Sequence, residues 1–341
     1  MQSRRISPRL AGFNLFRRQE TRAAEATEGL TFLDLDLLSS KAVAGKSRKR
    51  RPTIALIGSG NLARALGPAL HNAGYRIEIV AFRHSPSSKK RATALAKRLR
   101  AKPVALEEAG PQTDIVWLCH TDDALAETAR ELARKPGWKG IIVLHSSGAL
   151  PSRVLAPLKR AGAHTASLHP MMTFVPGTVP RIKAVPFAIE GDRHAVAVAR
   201  RIVSDLKADS FAIRESSKTL YHALGSFSSP LVVATLATAE RVGRAAGLSP
   251  SETRKVMGPI LQQTFKNYLE RGAAAAFSGP IKRGDLETVR RHLRELRRVP
   301  GAGDVYRALV KSAVRDLPVN RKKELIRMLK EHSEVRPPDR A

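Results

Sequence analysis

From residue 52 onward, apolar residues fall in short continuous runs that end in glycine, hydroxyl or charged residues, and helical-period segments separate the runs. Thr53-Ile-Ala-Leu-Ile57, Arg76-Ile-Glu-Ile-Val-Ala-Phe82, Asp114-Ile-Val-Trp-Leu-Cys-His120 and Gly140-Ile-Ile-Val-Leu-His145 have the length and β-branched content of buried strands. Between them, Leu62 to Leu70, Lys89 to Leu99 and Ala124 to Leu132 read as helices, the last with an N-cap signal in Thr121-Asp-Asp123. Shorter strands fit Ala163 to Leu168, Ala184 to Glu190 and Ala208 to Ile213. Strands that alternate with helices predict an α/β domain built on a mostly parallel sheet. The pattern changes near Arg214. Ser216 or Ser217 can cap a long helix from Lys218 to about Ala246, which Gly247 stops. Ser249-Pro-Ser-Glu252 has the form of a capping box for a helix to about Glu270, and Asp285 can cap Leu286 to Arg298. No strand-period run follows. The expected organisation is a flexible basic extension over residues 1–50, an α/β domain over 51–213 and an all-helical domain over 214–335, with a cleft at the junction.

The first strand breaks into Gly58-Ser59-Gly60-Asn61-Leu62-Ala63 and then into a helix, the context in which a glycine pattern marks a dinucleotide pyrophosphate loop of Rossmann type. Gly58 permits the turn, Gly60 lets the backbone approach phosphate, and Ala63 is small enough for helix and strand to pack. The helix N-terminus adds unpaired N–H groups. The second strand ends about 20 residues past Ala63, where an acidic residue would take ribose hydroxyls and a basic one a 2′-phosphate. Arg83 stands there, with Ser85, Lys89 and Lys90 close behind. The expected cofactor is therefore NADP in preference to NAD.

Chemistry-bearing residues gather in four clusters: His145-Ser146-Ser147-Gly148-Ala149, Leu168-His169-Pro170-Met-Met-Thr-Phe174, Lys218-Thr-Leu-Tyr-His222 and Phe277-Ser-Gly-Pro-Ile-Lys-Arg283-Gly-Asp285. Together with the glycine loop, these motifs resemble an uncharacterised family of oxidoreductase-like proteins that joins a Rossmann-like NADP-binding domain to a helical C-terminal domain of unknown function. In plan that family is similar to pyrroline-carboxylate reductases, deazaflavin-dependent NADP oxidoreductases and 6-phosphogluconate dehydrogenases. The resemblance spans about residues 52–330. It implies a homodimer built through the helical domain and an active site between the domains. One departure is Pro230, which stands eight residues after His222 where the family carries asparagine, and a proline there should kink the helix.

Lys218 and His222 are four residues apart on one helix face, and either can protonate a carbonyl or imine as hydride arrives; a capping-turn lysine beside a packed histidine fits the same spacing. His169, before Pro170, can face the cleft or serve as a structural histidine. Ser146, Ser147 and the Gly148 N–H can bind the nicotinamide amide or an anionic substrate group, or form a helix cap. Arg283 and Asp285 can meet a substrate at the partner cleft, and Asp285 caps a helix in any case. Cys119, His120 and Thr121 should lie near the cofactor ribose, with Cys119 a small buried side chain rather than a nucleophile. The function expected is hydride transfer to or from a small carbonyl, imine or alcohol-type substrate. The alternative is a dimeric NADP-binding sensor without turnover, towards which the missing asparagine points.

Sixty Lys and Arg against thirty Asp and Glu give a formal charge of +30. That imbalance raises nucleic acid as a partner, but the excess is spread along the chain and no aromatic binding sheet, helix-turn-helix or zinc finger accompanies it. The one cysteine and the scattered histidines offer no metal-ligand spacing, so no metal is expected, and a reducing cytoplasm fits. The most apolar stretch, Ala223 to Ala239, is interrupted by serines, threonines, Gly225 and Pro230, and reads as no membrane span.

Overall fold

In the computed structural model, which describes residues 50–83 and 85–331, eight strands form one sheet in the order β3-β2-β1-β4-β5-β6-β7-β8, numbered along the chain. The strands are β1 (Thr53–Ile57), β2 (Arg76–Phe82), β3 (Lys102–Ala105), β4 (Ile115–Leu118), β5 (Ile142–His145), β6 (His164–Pro170), β7 (Pro186–Gly191) and β8 (Asp209–Ala212). All pairings from β3 across to β6 are parallel; β7 runs antiparallel to β6, and β8 is parallel to β7. The basic extension expected over residues 1–50 lies, but for Arg50, outside the described residues.

Side-chain alternation explains why helices cover both faces. Ile54 and Leu56 point to one side, where they pack with α1 (Asn61–Asn72), α2 (Pro86–Leu99) and α5 (Arg193–Asp205). Ala55 and Ile57 point to the other, towards α3 (Asp122–Ala133) and α4 (Ala156–Arg160). The fold is a Rossmann-like, doubly wound α/β sheet, and an all-helical region follows it. Strand β3 is not among the expected strands, because Lys102 and Pro103 leave no strand-like alternation. It forms at the sheet edge, where a proline costs no central ladder bond.

After β8 come α6 (Lys218–Ser228), α7 (Pro230–Ala245), α8 (Pro250–Ala276), α9 (Pro280–Arg283), α10 (Leu286–Glu295), α11 (Ala302–Asp316) and α12 (Lys322–Glu331). The helix expected to run from Lys218 to Ala246 is two helices. Ser229, at φ −136° and ψ −81°, breaks it, and Pro230 starts the second half at a position where its missing N–H is harmless. Ser249 and Glu252 form the capping box, while the Asp285 carboxylate accepts from the Thr288 N–H. Helices α10 to α12 close a small core around Val289, Leu293, Val310, Leu325 and Leu329.

Helices α6 to α8 are packed differently. Lys218 is the buried residue of α6, α7 has none, and α8 has Thr253 alone. Leu220, Phe227, Val256, Ile260 and Leu269 are exposed, Leu269 by 80%. By length and composition alone, the 31-residue stretch Glu215–Ala245 is apolar enough to cross a membrane. In this fold its start is pinned to the sheet by Lys218 and its middle is broken at Ser229.

Candidate functional site

Because β1 to β6 are parallel, the loops after β1, β2, β4, β5 and β6 leave one edge of the sheet, the edge where open α/β sheets bind ligands. Gly58 sits there at φ +112°, and a Cβ would lie 3.0 Å from the Cys119 carbonyl oxygen, so the turn favours glycine on both counts. Gly60 is the N-cap of α1 and supplies no side-chain cap, which leaves first-turn N–H groups open to an anion. A Cβ at Gly60 would meet nothing within 4 Å, and Ala63 is fully buried against the sheet.

A cavity of about 190 Å³ opens over this loop, lined by Gly58, Ser59, Gly60, Arg83, Ser88, Arg91, Cys119, His120 and Thr121. The Arg83 guanidinium donates to Thr128 Oγ1 at 3.2 Å and to the Ala124 carbonyl at 3.4 Å. Thr128 Oγ1 lies 3.5 Å from His120 Nδ1, while His120 Nε2 is buried with no partner. That orphaned nitrogen, the open space at Gly60 and two guanidiniums fit a phosphorylated dinucleotide. Arg91 and Ser88 were not among the expected site residues because on α2 they look like solvated helix positions; their closeness to Arg83 along the chain is the one available signal. Ser85 is engaged otherwise than expected, since its Oγ caps α2 by accepting from the Ser88 N–H at 3.1 Å. Asn61 turns its amide to the Phe174 carbonyl at 3.0 Å, and Leu62 packs on the core. Burial pushes the Cys119 thiol up to about 12, which makes it an inert side chain.

The loops after β5 and β6 build the second half of the site. Ser146 Oγ accepts from Trp117 Nε1 and Ser147 Oγ accepts from the Leu150 N–H, both at 2.8 Å, so both hydroxyls brace the loop. Gly148 remains as its facing surface. A Cβ there would sit 2.5 Å from His222 Cδ2 and 2.8 Å from His169 Nε2, so both histidines press on this glycine. Their ring centroids are 6.0 Å apart and the rings nearly perpendicular. His169 Nδ1 lies 3.0 Å from the Tyr221 hydroxyl. Burial raises the Tyr221 phenol to about 12, so it stays protonated and fixes the His169 ring through Nδ1, leaving Nε2 on the Gly148 side. No role was expected of Tyr221, and its bond to a residue 52 positions earlier leaves no trace in local spacing. A cavity of about 480 Å³ extends from the histidines along Met171, Met172, Ser226, Ser228, Ser229 and Pro230.

Lys218 shares a helix with His222 but not its surroundings. It is 1% exposed, its Nζ donates to the Ser147 carbonyl at 3.0 Å and to Ser167 Oγ, and Glu190 Oε1 is 3.9 Å away. The ammonium lies within the wall of the site, its donors taken up by the Ser147 carbonyl and Ser167 Oγ, the surroundings of a packed lysine rather than of an open proton donor. Arg283 and Asp285 are not brought to the cluster within one chain: Gly284, at φ +68°, packs against Asn320, and Asp285 is occupied as the cap of α10. Among the described residues no group of three His, Cys, Asp or Glu is arranged to hold a metal ion.

Burial lowers three imidazoles from 6.5: His120 to about 4, His145 to about 3 and His169 to about 4. Each folded value lies below the unfolded one, so between pH 6.5 and about 4 the unfolded chain binds more protons. Stability should hold above pH 6.5 and fall as the pH drops through that window, by roughly 2 kcal/mol per histidine at pH 5. Urea midpoints at pH 7.5 and pH 5 test this, and equal midpoints would contradict it.

Two family models divide the chain: a Rossmann-like domain matches residues 39–170, and a domain of unknown function, DUF2520, matches residues 185–313, beginning just ahead of β7. No curated protein matches the chain. Among solved structures, BF3122 from Bacteroides fragilis, a proposed NADP oxidoreductase, is 26% identical with a TM-score of 0.66 over 77% of this chain and 98% of its own. TM1727 from Thermotoga maritima is 22% identical with a TM-score of 0.60, covering 82% of this chain and 100% of its own. An imine reductase from Myxococcus stipitatus, solved with NADP+, is 16% identical with a TM-score of 0.58, covering 83% of this chain and 100% of its own. The last two likenesses are of fold.

Proposed function

We propose that this chain, which carries a Rossmann-like domain followed by a DUF2520 domain, is an NADP-dependent oxidoreductase working on a small carbonyl, imine or alcohol-type substrate. Residues 51–213 hold the cofactor, and residues 214–335 complete the cleft and form a homodimer. The observation that carries this reading is the meeting of His169 and His222 on Gly148, with Tyr221 behind His169, on the same sheet edge as the glycine loop. Strands β1 and β6 are three spacings apart, about 14 Å at the usual strand separation, so one extended ligand can reach from the glycine loop to the histidines. BF3122 and the NADP+-bound imine reductase support the cofactor class.

A nicotinamide, when bound, supplies or accepts hydride. The chain's own residues do the rest. First-turn N–H groups of α1 hold phosphate, Arg83 and Arg91 take the 2′-phosphate, and His120 Nε2 meets a ribose or base polar atom. His169, oriented by Tyr221, and the exposed His222 hold or move the substrate proton. Dimer formation is supported by the apolar faces of α6 to α8, since Leu220, Phe227 and Leu269 find no cover in one chain.

Titration of the purified protein with NADPH and NADH, followed by a panel of carbonyl, imine and alcohol compounds read at the NADPH absorbance, tests the reading. Micromolar NADPH binding with turnover of at least one panel member supports it. Absence of dinucleotide binding overturns it. Binding without turnover favours the sensor reading, which the Ser229–Pro230 break in the pocket wall supports.

A further inference from the structure

The buried Lys218 ammonium ties together four elements. From α6 it donates to the Ser147 carbonyl after β5 and to Ser167 Oγ on β6, and it faces Glu190 Oε1 of β7 at 3.9 Å. Glu190 is itself anchored, accepting from the Ser152 N–H and hydroxyl at 2.6 Å each. The lysine is 1% exposed and the glutamate 9%. A buried pair of this kind contributes little net stability compared with apolar packing. What it does supply here is a fixed charge and a fixed peptide plane. An ammonium on the Ser147 oxygen polarises the Ser147–Gly148 peptide, which strengthens its N–H as a donor.

We infer that Lys218 is a positioning residue: with Glu190 as counter-ion, it locks the Ser147–Gly148 peptide beneath His169 and His222 and leaves proton transfer to those histidines. The histidines' role rests on the oxidoreductase reading above, whereas the action of the lysine on His169 does not depend on turnover. The groups acting on His169 are Lys218, Tyr221 and His222 from α6, His169 in turn acts on His145 of β5, and Glu190 from β7 and Asp122 from α3 balance the lysine. Lys218 disfavours the imidazolium at His169, after the larger effect of burial. A neutral His169 is the form that can donate from Nε2 while accepting from Tyr221.

The test is an NMR titration of imidazole resonances in the full chain without substrate, with His169 assigned through His169→Asn. Lys218→Gln keeps a donor for the Ser147 carbonyl but removes the charge, and should raise the His169 midpoint by about one pH unit. Lys218→Arg keeps the charge and should leave it within a few tenths. An unchanged midpoint in Lys218→Gln overturns the inference. If that variant fails to fold, Lys218→Met, which removes the charge without burying a polar group, must raise the His169 midpoint as well; no movement there overturns it equally. Were Lys218 the proton donor itself, Lys218→Arg would lose turnover although it leaves the His169 midpoint in place. Failure of the wild type to bind NADPH would sink the oxidoreductase reading and leave the His169 shift measurable.

Discussion

Gly148→Ala should lower kcat by about 100-fold while changing the dissociation constant for NADPH less than about threefold, because misplacing reacting groups by about 1 Å has an effect of that size. The added methyl would sit 2.5 Å from His222 Cδ2 and 2.8 Å from His169 Nε2, so neither ring could keep its position. The glycine loop proposed to hold phosphate follows another strand and would not feel the change. Steady-state kinetics on the best panel substrate, together with a fluorescence titration of NADPH, separates the two effects. Turnover equal to the wild type would mean that the histidines do not carry the reaction.

Arg83→Ala should weaken NADPH binding by about ten- to a hundredfold and NADH binding by far less. A charge-assisted hydrogen bond contributes roughly 1.5–3 kcal/mol, and about 1.4 kcal/mol is a factor of ten. Arg83 lines the cavity at the carboxyl end of β2, with its guanidinium held by Thr128 and the Ala124 carbonyl. A fixed guanidinium gives up less freedom on binding than a floppy one. Arg91 lines the same cavity, so the double variant should lose more than either single one. Equal losses for NADPH and NADH in Arg83→Ala would remove Arg83 from cofactor discrimination.

Much of the sheet is legible in the sequence because its strands are buried on both faces and read as unbroken apolar runs, as in Ile54 to Ile57 and Ile115 to Leu118. Lys102–Ala105 is not, since an edge strand with a proline carries no such signature. The break at Ser229 is half legible: Pro230 announces a kink, but not that the backbone restarts there as a new helix. For the site, local sequence locates the glycine loop, Arg83, His169 and His222. Helical spacing places Lys218 and His222 on one helix but says nothing of depth, and depth makes one a buried cation and the other an exposed imidazole. Glu190, Ser167 and Tyr221 enter through pairings between distant strands and helices, which no local pattern encodes.

The bond from the Asn61 amide to the Phe174 carbonyl spans the two halves of the site. Asn61 opens the helix at the phosphate end, while Phe174 directly follows Met171, Met172 and Thr173 in the wall of the larger cavity. If Asn61 serves the phosphate, the two ends would be in thermodynamic linkage. A phosphate that drew the amide away would release the wall of the larger cavity, and by reciprocity a ligand in that cavity would change affinity for the phosphate by the same factor.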